Sequence, residues 1–581
     1  MSSLRRIFRF IRPYRRQLML AILLILGLVV VDLAIPRLTQ DLIDKGVAER
    51  DLGKIVRLSL LMVGASILSA GFAIVNTLVS VRVAQHVAAD IREAVVKRVQ
   101  SMSFANLDKF QTGQLLTRTT SDVMQVQMIV LMTMRMFMRA PLWMIGSVAM
   151  LLINTPQIAW IMAVLLPLIL VIMAVFVVKG RPMFMAVQKR LERLNEVMQE
   201  NLSGMRVVKA FVRTGFENQR FGEANDSMVS MSIQVMQLLA ILMPTVFLVI
   251  NMATAAAVWV GGNRVIADTM TVGQLLASFN YLTRALFPVL MLGGMVGLAA
   301  AADASAERVL EILDEEPAVV NKPGVTPLTS ISGKVAFENV TFSYDGDEAE
   351  PVLCGVSFEA SPGETVALLG ATGSGKSSLV HLIPRFYDID DGRITLDGTD
   401  IRDIPLVQLR SQIGMAMQEA VLFSGTVRDN IRYGRPEASD EEVVAAAKAA
   451  QAHDFIKTLP KGYDAMVGQR GVNLSGGQKQ RISIARALLV SPQILILDDS
   501  TSAVDVETEI EIEHALEDVM AGATSIVIAQ RISTVLNADK IIVLDRGQVA
   551  ATGTHAELMT SSPIYQEIYD SQLGNREVNH G

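Results

Sequence analysis

Gly370-Ala371-Thr372-Gly373-Ser374-Gly375-Lys376-Ser377-Ser378 decides how the second half of this chain is read. The run follows an apolar stretch, Thr365-Val366-Ala367-Leu368-Leu369, and precedes a helical pattern, the setting that a phosphate-binding loop requires. Glycines let successive backbone N–H groups turn toward phosphate oxygens, and the following helix offers its positive N-terminus. In that frame Lys376 reaches the β- and γ-phosphates of ATP and Ser377 ligates Mg²⁺.

Two further stretches extend the reading. Ile494-Leu495-Ile496-Leu497 reads as a buried strand delivering Asp498, placed to hold Mg²⁺ through its water shell. Between the two, Asn473-Leu474-Ser475-Gly476-Gly477-Gln478 opens a helical run ending near Leu489. This is a second phosphate-sized nest at a helix N-terminus. One γ-phosphate does not need two such nests from a single chain.

Outward from this core the composition changes. The chain has 581 residues and is 51% hydrophobic, too apolar for an ordinary soluble protein. Nearly all the apolar excess lies before about Ala302, so two parts are implied, each long enough to bury a core. A net charge of −6 gives no argument for nucleic-acid binding. Cys354 is the single cysteine, which excludes a disulfide framework and a cysteine-based metal site and reads as a small core residue.

A spanning helix needs about 20 mostly apolar residues. Six stretches qualify, at 17–35, 55–83, 128–153, 157–178, 238–261 and 275–302. Arg5, Arg6, Arg9, Arg12, Arg15 and Arg16 precede the first and should stay cytoplasmic. A signal peptide is the rival reading, but no small-residue cleavage site follows and the apolar run is too long. An even number of spans leaves the nucleotide-binding half cytoplasmic too. The links after spans two and four are long, charged and helical in pattern, with Val187, Leu191, Leu194, Met198 and Leu202 three or four apart. A helix from about Lys54 to Val99 would be roughly 70 Å long, so it continues well past the membrane. Asn76, Arg135, Arg139, Asn251, Asn280 and Arg284 are costly in lipid and should face a cavity or a neighbouring helix. Met128, Met132, Met134, Met136, Met138 and Met144 crowd one segment, where a flexible lining for apolar ligands competes with gap-filling or lipid contact.

In this order and spacing the motifs resemble the ATP-binding cassette family over the full length of the chain. Six spans followed by one cassette is similar to an ABC exporter half-transporter. The implied fold is a multi-domain membrane protein: an all-α transmembrane domain (1–313) with long cytoplasmic extensions, a linker (314–333) holding Pro317, Pro323 and Pro327, and an α/β P-loop domain with a helical subdomain (334–581). The resemblance makes Gly370 to Ser378 Walker A, Asp498 Walker B, and Leu474, Ser475, Gly476, Gly477 and Gln478 the signature. It also gives Tyr344 adenine stacking, Gln418 a place near Mg²⁺ and the transmembrane contact, and Asp505 the D-loop within Ser502-Ala503-Val504-Asp505. Cassettes of this family dimerise head to tail, each ATP lying between Walker A of one and the signature of the other. Two coupling helices are implied, near 104–111, ahead of Thr112 to Arg118, and near 214–219, after Arg206 to Lys209.

Two positions depart from the family pattern. Asp499 stands where a catalytic Glu is expected, and Gln530 where a His is expected. A general base must lie within hydrogen-bond reach of the attacking water. One methylene fewer withdraws the carboxylate by about 1.5 Å, and a displacement of that order costs roughly a hundredfold in rate. An amide at 530 carries neither the proton nor the charge of an imidazole. An intact signature beside a blunted base resembles the degenerate-site subunit of a heterodimeric bacterial multidrug or lipid exporter. The expectation is therefore a plasma-membrane (inner-membrane) translocase subunit that moves small apolar or amphipathic compounds beside a second half-transporter chain. A homodimeric lipid or drug flippase and a nucleotide-gated regulatory subunit are the alternatives.

Overall fold

The computed structural model describes residues 2–344, 350–500, 508, 511–512, 514–515, 522–529 and 532–573, apart from the side chains of 2, 287, 289–296, 533, 534 and 573. Two compact units form: Met1–Val99 with Thr112–Asp314, and Gln100–Gln111 with Glu315–Gly581. The short segment 100–111, placed by the sequence reading in the first half, thus clusters with the second.

The first unit is helical. Among the described residues five helices are long and apolar enough to cross a membrane: Ser3–Val47, Leu52–Ser101, Thr112–Asn154, Pro156–Ser203 and Thr214–Ile266. The sixth expected span lies in the helix Val272–Asp314. Pro156 opens its helix at a position where the missing N–H has no intrahelical acceptor to lose. The helix Leu52–Ser101 has 50 residues, about 75 Å, which is the expected overshoot of a bilayer core. Outward-facing apolar side chains such as Leu60, Val178 and Trp259 remain exposed, as a lipid-facing surface requires. Buried polar groups are tied between helices: Tyr281 Oη donates to the Leu33 carbonyl at 3.0 Å, and Asn76 Nδ2 to that of Ala21 at 3.1 Å. Of the crowded methionines, Met134 is buried, Met128 is exposed, Met138 and Met144 pack against apolar clusters, and Met136 lines a cavity. Asn251, expected to face a cavity or a helix, is exposed. Near the second expected coupling helix, the separate short helix is Met205–Ala210, and Thr214 already begins the helix Thr214–Ile266.

The second unit is α/β. Its central six-stranded sheet runs, edge to edge, Gln548–Gly553, Lys540–Asp545, Thr365–Leu369, Thr524–Ile528, Ile494–Asp498 and Ile413–Ala416. All neighbours are parallel except the first pair. Parallel strands are covered on both faces, hence the unbroken apolar runs at Thr365–Leu369 and Ile494–Asp498. A four-stranded antiparallel sheet of Leu353–Ala360, Val335–Phe342, Asp391–Leu396 and Thr399–Asp400 shares one core with it. A helical layer built from Val427–Arg432, Asp440–Ala449, His453–Thr458 and Gly476–Leu489 encloses a second core. Thr426, Ser439 and Ser475 begin three of these helices with reciprocal capping boxes.

Candidate functional site

Thr365–Leu369 and Ile494–Asp498 flank Thr524–Ile528 in the parallel sheet, so their carboxyl ends open on one edge, where ligands of such sheets bind. The loop after the first strand turns at Gly375, whose φ of +97° and 2.8 Å clearance to Leu353 Cδ2 leave no place for a Cβ. The helix Lys376–Leu382 starts there. A cavity of about 480 Å³ is lined by the loop glycines, Thr372, Lys376, Ser377, Ser378, Gln418, Asp498 and Asp499. The structure therefore brings the two flanking motifs and Gln418 together.

Within the cavity Lys376 Nζ donates to the carbonyls of Gly370 and Ala371, each at 2.8 Å. Burial depresses its pKa, an effect partly offset by Asp498 and Asp499. Burial likewise raises the pKa of Asp498, against the opposing pull of Ser377, His381 and Lys376. Each charge is thus costly alone and compensated by its neighbours. Ser377 Oγ donates to Asp498 Oδ1 at 3.1 Å, which puts a hydroxyl and a carboxylate oxygen side by side. With the Gln418 amide they form a hard oxygen set that suits Mg²⁺ completed by water and phosphate. Among the described residues no cluster of three or more His, Cys, Asp or Glu offers an all-protein cage. Ser374 Oγ in the loop is buried without a hydrogen-bond partner, as fits a cradle awaiting phosphate oxygens.

Asp499 is 5% exposed, and its backbone is left-handed at φ +46°, a region that Asp tolerates better than most side chains. Gln418 Nε2 donates to its Oδ2 at 3.1 Å. Gln530, Ser502, Ala503, Val504 and Asp505 lie outside the described residues. Tyr344 is half-exposed, with its hydroxyl 2.9 Å from Ser378 Oγ and its ring edge-on to Tyr387. Leu474 is buried, whereas Ser475 and Gly476 are exposed. Ser475 caps the helix Gly476–Leu489, exchanging hydrogen bonds with Gln478.

The sequence reading missed three residues. His381 Nε2 lies 3.8 Å from Asp498 Oδ2, signalled only by its place on the helix behind Lys376. Gln572 lines the cavity from the last described helix, and no local pattern announces it. In the first unit Asp32, a lone carboxylate inside an apolar run, is buried at 7% exposure. Also in the second unit, the helix Phe104–Asp108 sets Phe104 against Phe386, with centroids 4.4 Å apart, and Asp108 accepts from Tyr387 Oη at 2.6 Å.

Comparison with known proteins accords with this architecture. The ABC transporter transmembrane region matches residues 18–288, and the ABC transporter family matches 353–502. An uncharacterized ABC transporter ATP-binding protein, YfiB of Bacillus subtilis (strain 168), is 38% identical over 97% of this chain and 98% of its own length. The ATP-dependent lipid A-core flippase of Syntrophus aciditrophicus (strain SB) is 35% identical over 100% of this chain and 96% of its own. A solved bacterial Atm1-family ABC exporter with ATP bound superposes with a TM-score of 0.80 at 29% identity, covering 96% of this chain and 98% of that one. A helical membrane unit with a P-loop α/β unit defines an ATP-hydrolysing membrane transporter. The chain belongs to the ABC transporters, as an exporter half-transporter in which a transmembrane domain is fused to one ATP-binding cassette. It is a multi-pass membrane protein whose ATP-binding domain is cytoplasmic.

Proposed function

We propose that this exporter chain binds ATP and Mg²⁺ at a site of its own that turns over slowly, and lends an intact signature to a faster site on a different half-transporter. The observation that carries the reading is Asp499, which replaces the longer carboxylate a general base needs and is hydrogen-bonded to Gln418. ABC exporters work as dimers. A homodimer would carry the blunted base twice, whereas a heterodimer confines it to one site. Lys376 and the backbone N–H groups of Gly373 to Ser378 would hold the phosphates; Ser377, Gln418 and Asp498 would hold Mg²⁺, with Tyr344 beside the base. When bound, Mg²⁺ would neutralise charge on the phosphates. The exposed Ser475–Gly476 nest would serve the partner's ATP and Asp505 the dimer contact. A relative named as a lipid A-core flippase supports an amphipathic substrate, drug or lipid. Measuring ATP turnover of the chain alone and with its partner tests this. Turnover that needs the partner is expected; full turnover by the chain alone would favour a homodimer, and none in either case a regulatory subunit.

A further inference from the structure

The last described helix, Pro563–Leu573, carries Tyr565, Ile568, Tyr569 and Gln572 at spacings of three and four, so these residues share one face. The first three pack. Tyr565 is fully buried, and Ile568 and Tyr569 rest on an apolar cluster that holds Leu369, at the end of the strand before the phosphate loop, and Ala529, just after the strand Thr524–Ile528. Tyr565 Oη and His555 Nδ1 lie 2.7 Å apart, which ties this helix to the helix His555–Ser561. The last residue of the face is polar, and it falls where the helix reaches the nucleotide cavity. Gln572 lines that cavity with Lys376, Asp498, Asp499 and Ile528.

Gln572 Oε1 accepts from the Ile532 backbone N–H at 2.7 Å. Ile532 opens the short 3-10 turn Ile532–Val535, so its N–H has no acceptor within the turn itself. The stretch from Ile528 to Ile532 is thereby anchored at both ends. At one end Ile528 lies in register with Leu368 and Asp498 of the neighbouring strands, and its carbonyl accepts from the Asp499 N–H at 3.1 Å. At the other end Ile532 is held by burial in the apolar cluster and by Gln572. Backbone N–H groups of a phosphate loop cradle the inner phosphates, which ADP and ATP share. The γ-phosphate is left to Lys376, Asp498 and the wall beside them, and Gln572 fixes part of that wall.

We propose that Gln572 is a positioning residue for γ-phosphate recognition at this chain's own ATP site. From the last described helix it holds the Ile532 backbone, and with it the segment after Thr524–Ile528, against the phosphate cavity. The proposal rests on the loop from Gly370 to Ser378 gripping ATP, and is independent of how fast the site turns over.

Gln572→Met keeps the length of the side chain and removes the acceptor. The full-length chain in lipid nanodiscs is titrated, with Mg²⁺, with ADP and with the non-hydrolysable β,γ-imido analogue of ATP, each displacing a fluorescent nucleotide. Binding that is lost in Lys376→Ala is assigned to this site. Gln572→Met is expected to weaken the imido analogue roughly three- to tenfold, the range of one net hydrogen bond, and to leave ADP within about twofold. Amide exchange at Ile532 should quicken in the same variant while thermal unfolding stays close to wild type. Gln572→Glu, which keeps an acceptor oxygen, should restore slow exchange at Ile532. An unchanged ratio of the two affinities in folded Gln572→Met overturns the proposal. Equal weakening of both nucleotides also overturns it, because Gln572 would then serve the cavity as a whole and not the γ-phosphate. If Lys376→Ala leaves both nucleotides bound as in wild type, the ATP site itself is misplaced and the proposal falls with it.

Discussion

Gln418 donates its side-chain amide to the Asp499 carboxylate at 3.1 Å, so the group that the proposed account puts in place of the hydrolytic base is held by the segment after the strand Ile413–Ala416. Lengthening that side chain should return the carboxylate toward the attacking water. Asp499→Glu with Gln530→His is therefore expected to raise turnover in the complex only modestly, by a few-fold, because under the proposed head-to-tail arrangement this site also needs a competent signature from the partner. Phosphate release at saturating ATP checks it, since changes in binding are then not read as changes in chemistry.

Lys376→Ala removes the one cationic side chain that lines the cavity among the described residues. A charge-assisted contact to phosphate contributes about 1.5–3 kcal/mol, so ATP affinity at this chain's site should fall by roughly ten- to a hundredfold. Equilibrium binding of a fluorescent ATP analogue reads it, and unchanged affinity would mean that the loop from Gly370 to Ser378 does not grip phosphate.

Ser475 is exposed at the start of the helix Gly476–Leu489. Ser475→Arg fills the nest with a bulky side chain and should nearly abolish turnover in the complex. It also deletes a helix cap, at a cost of about 1 kcal/mol, so thermal unfolding must be measured alongside. Near-normal turnover in a folded protein would show that this nest faces no reacting phosphate.

Phe104 rests on Phe386, and Asp108 accepts from Tyr387, beside Tyr344 and Ser378. Burial and Asp108 push the Tyr387 phenol well above its usual range, so it stays a donor at physiological pH. On the expectation that 104–111 is a coupling helix, Phe104→Ala should keep basal turnover within about twofold and lose most of the stimulation by transported compound, since coupling free energies are typically about 1–3 kcal/mol. Stimulation equal to wild type would remove this helix from the coupling path.

The strands behind Gly370 and Asp498 are legible in the sequence because both their faces are buried, leaving uninterrupted apolar runs. The signature helix is legible through its cap, Ser475 with Gln478 three residues on. Asp32 is not: its partners Ser69 and Arg139 come from 37 and 107 residues away, and nothing local states that three helices meet there. His381 and Gln572 escape for the same reason, since each matters through a tertiary neighbour. The grouping of 100–111 with the cassette also depends on long-range contacts, Phe104 with Phe386 and Asn106 with Glu315, that no helical periodicity encodes.

The most direct measurement is the ATP turnover of the assembled exporter, at saturating ATP and Mg²⁺, with Asp499→Asn in this chain. The change keeps size and removes the negative charge that a base requires. Turnover within about twofold of wild type is predicted, because the proposed account assigns the working carboxylate to the partner. Loss of most of the turnover would make Asp499 a functioning base and contradict the slow-site account.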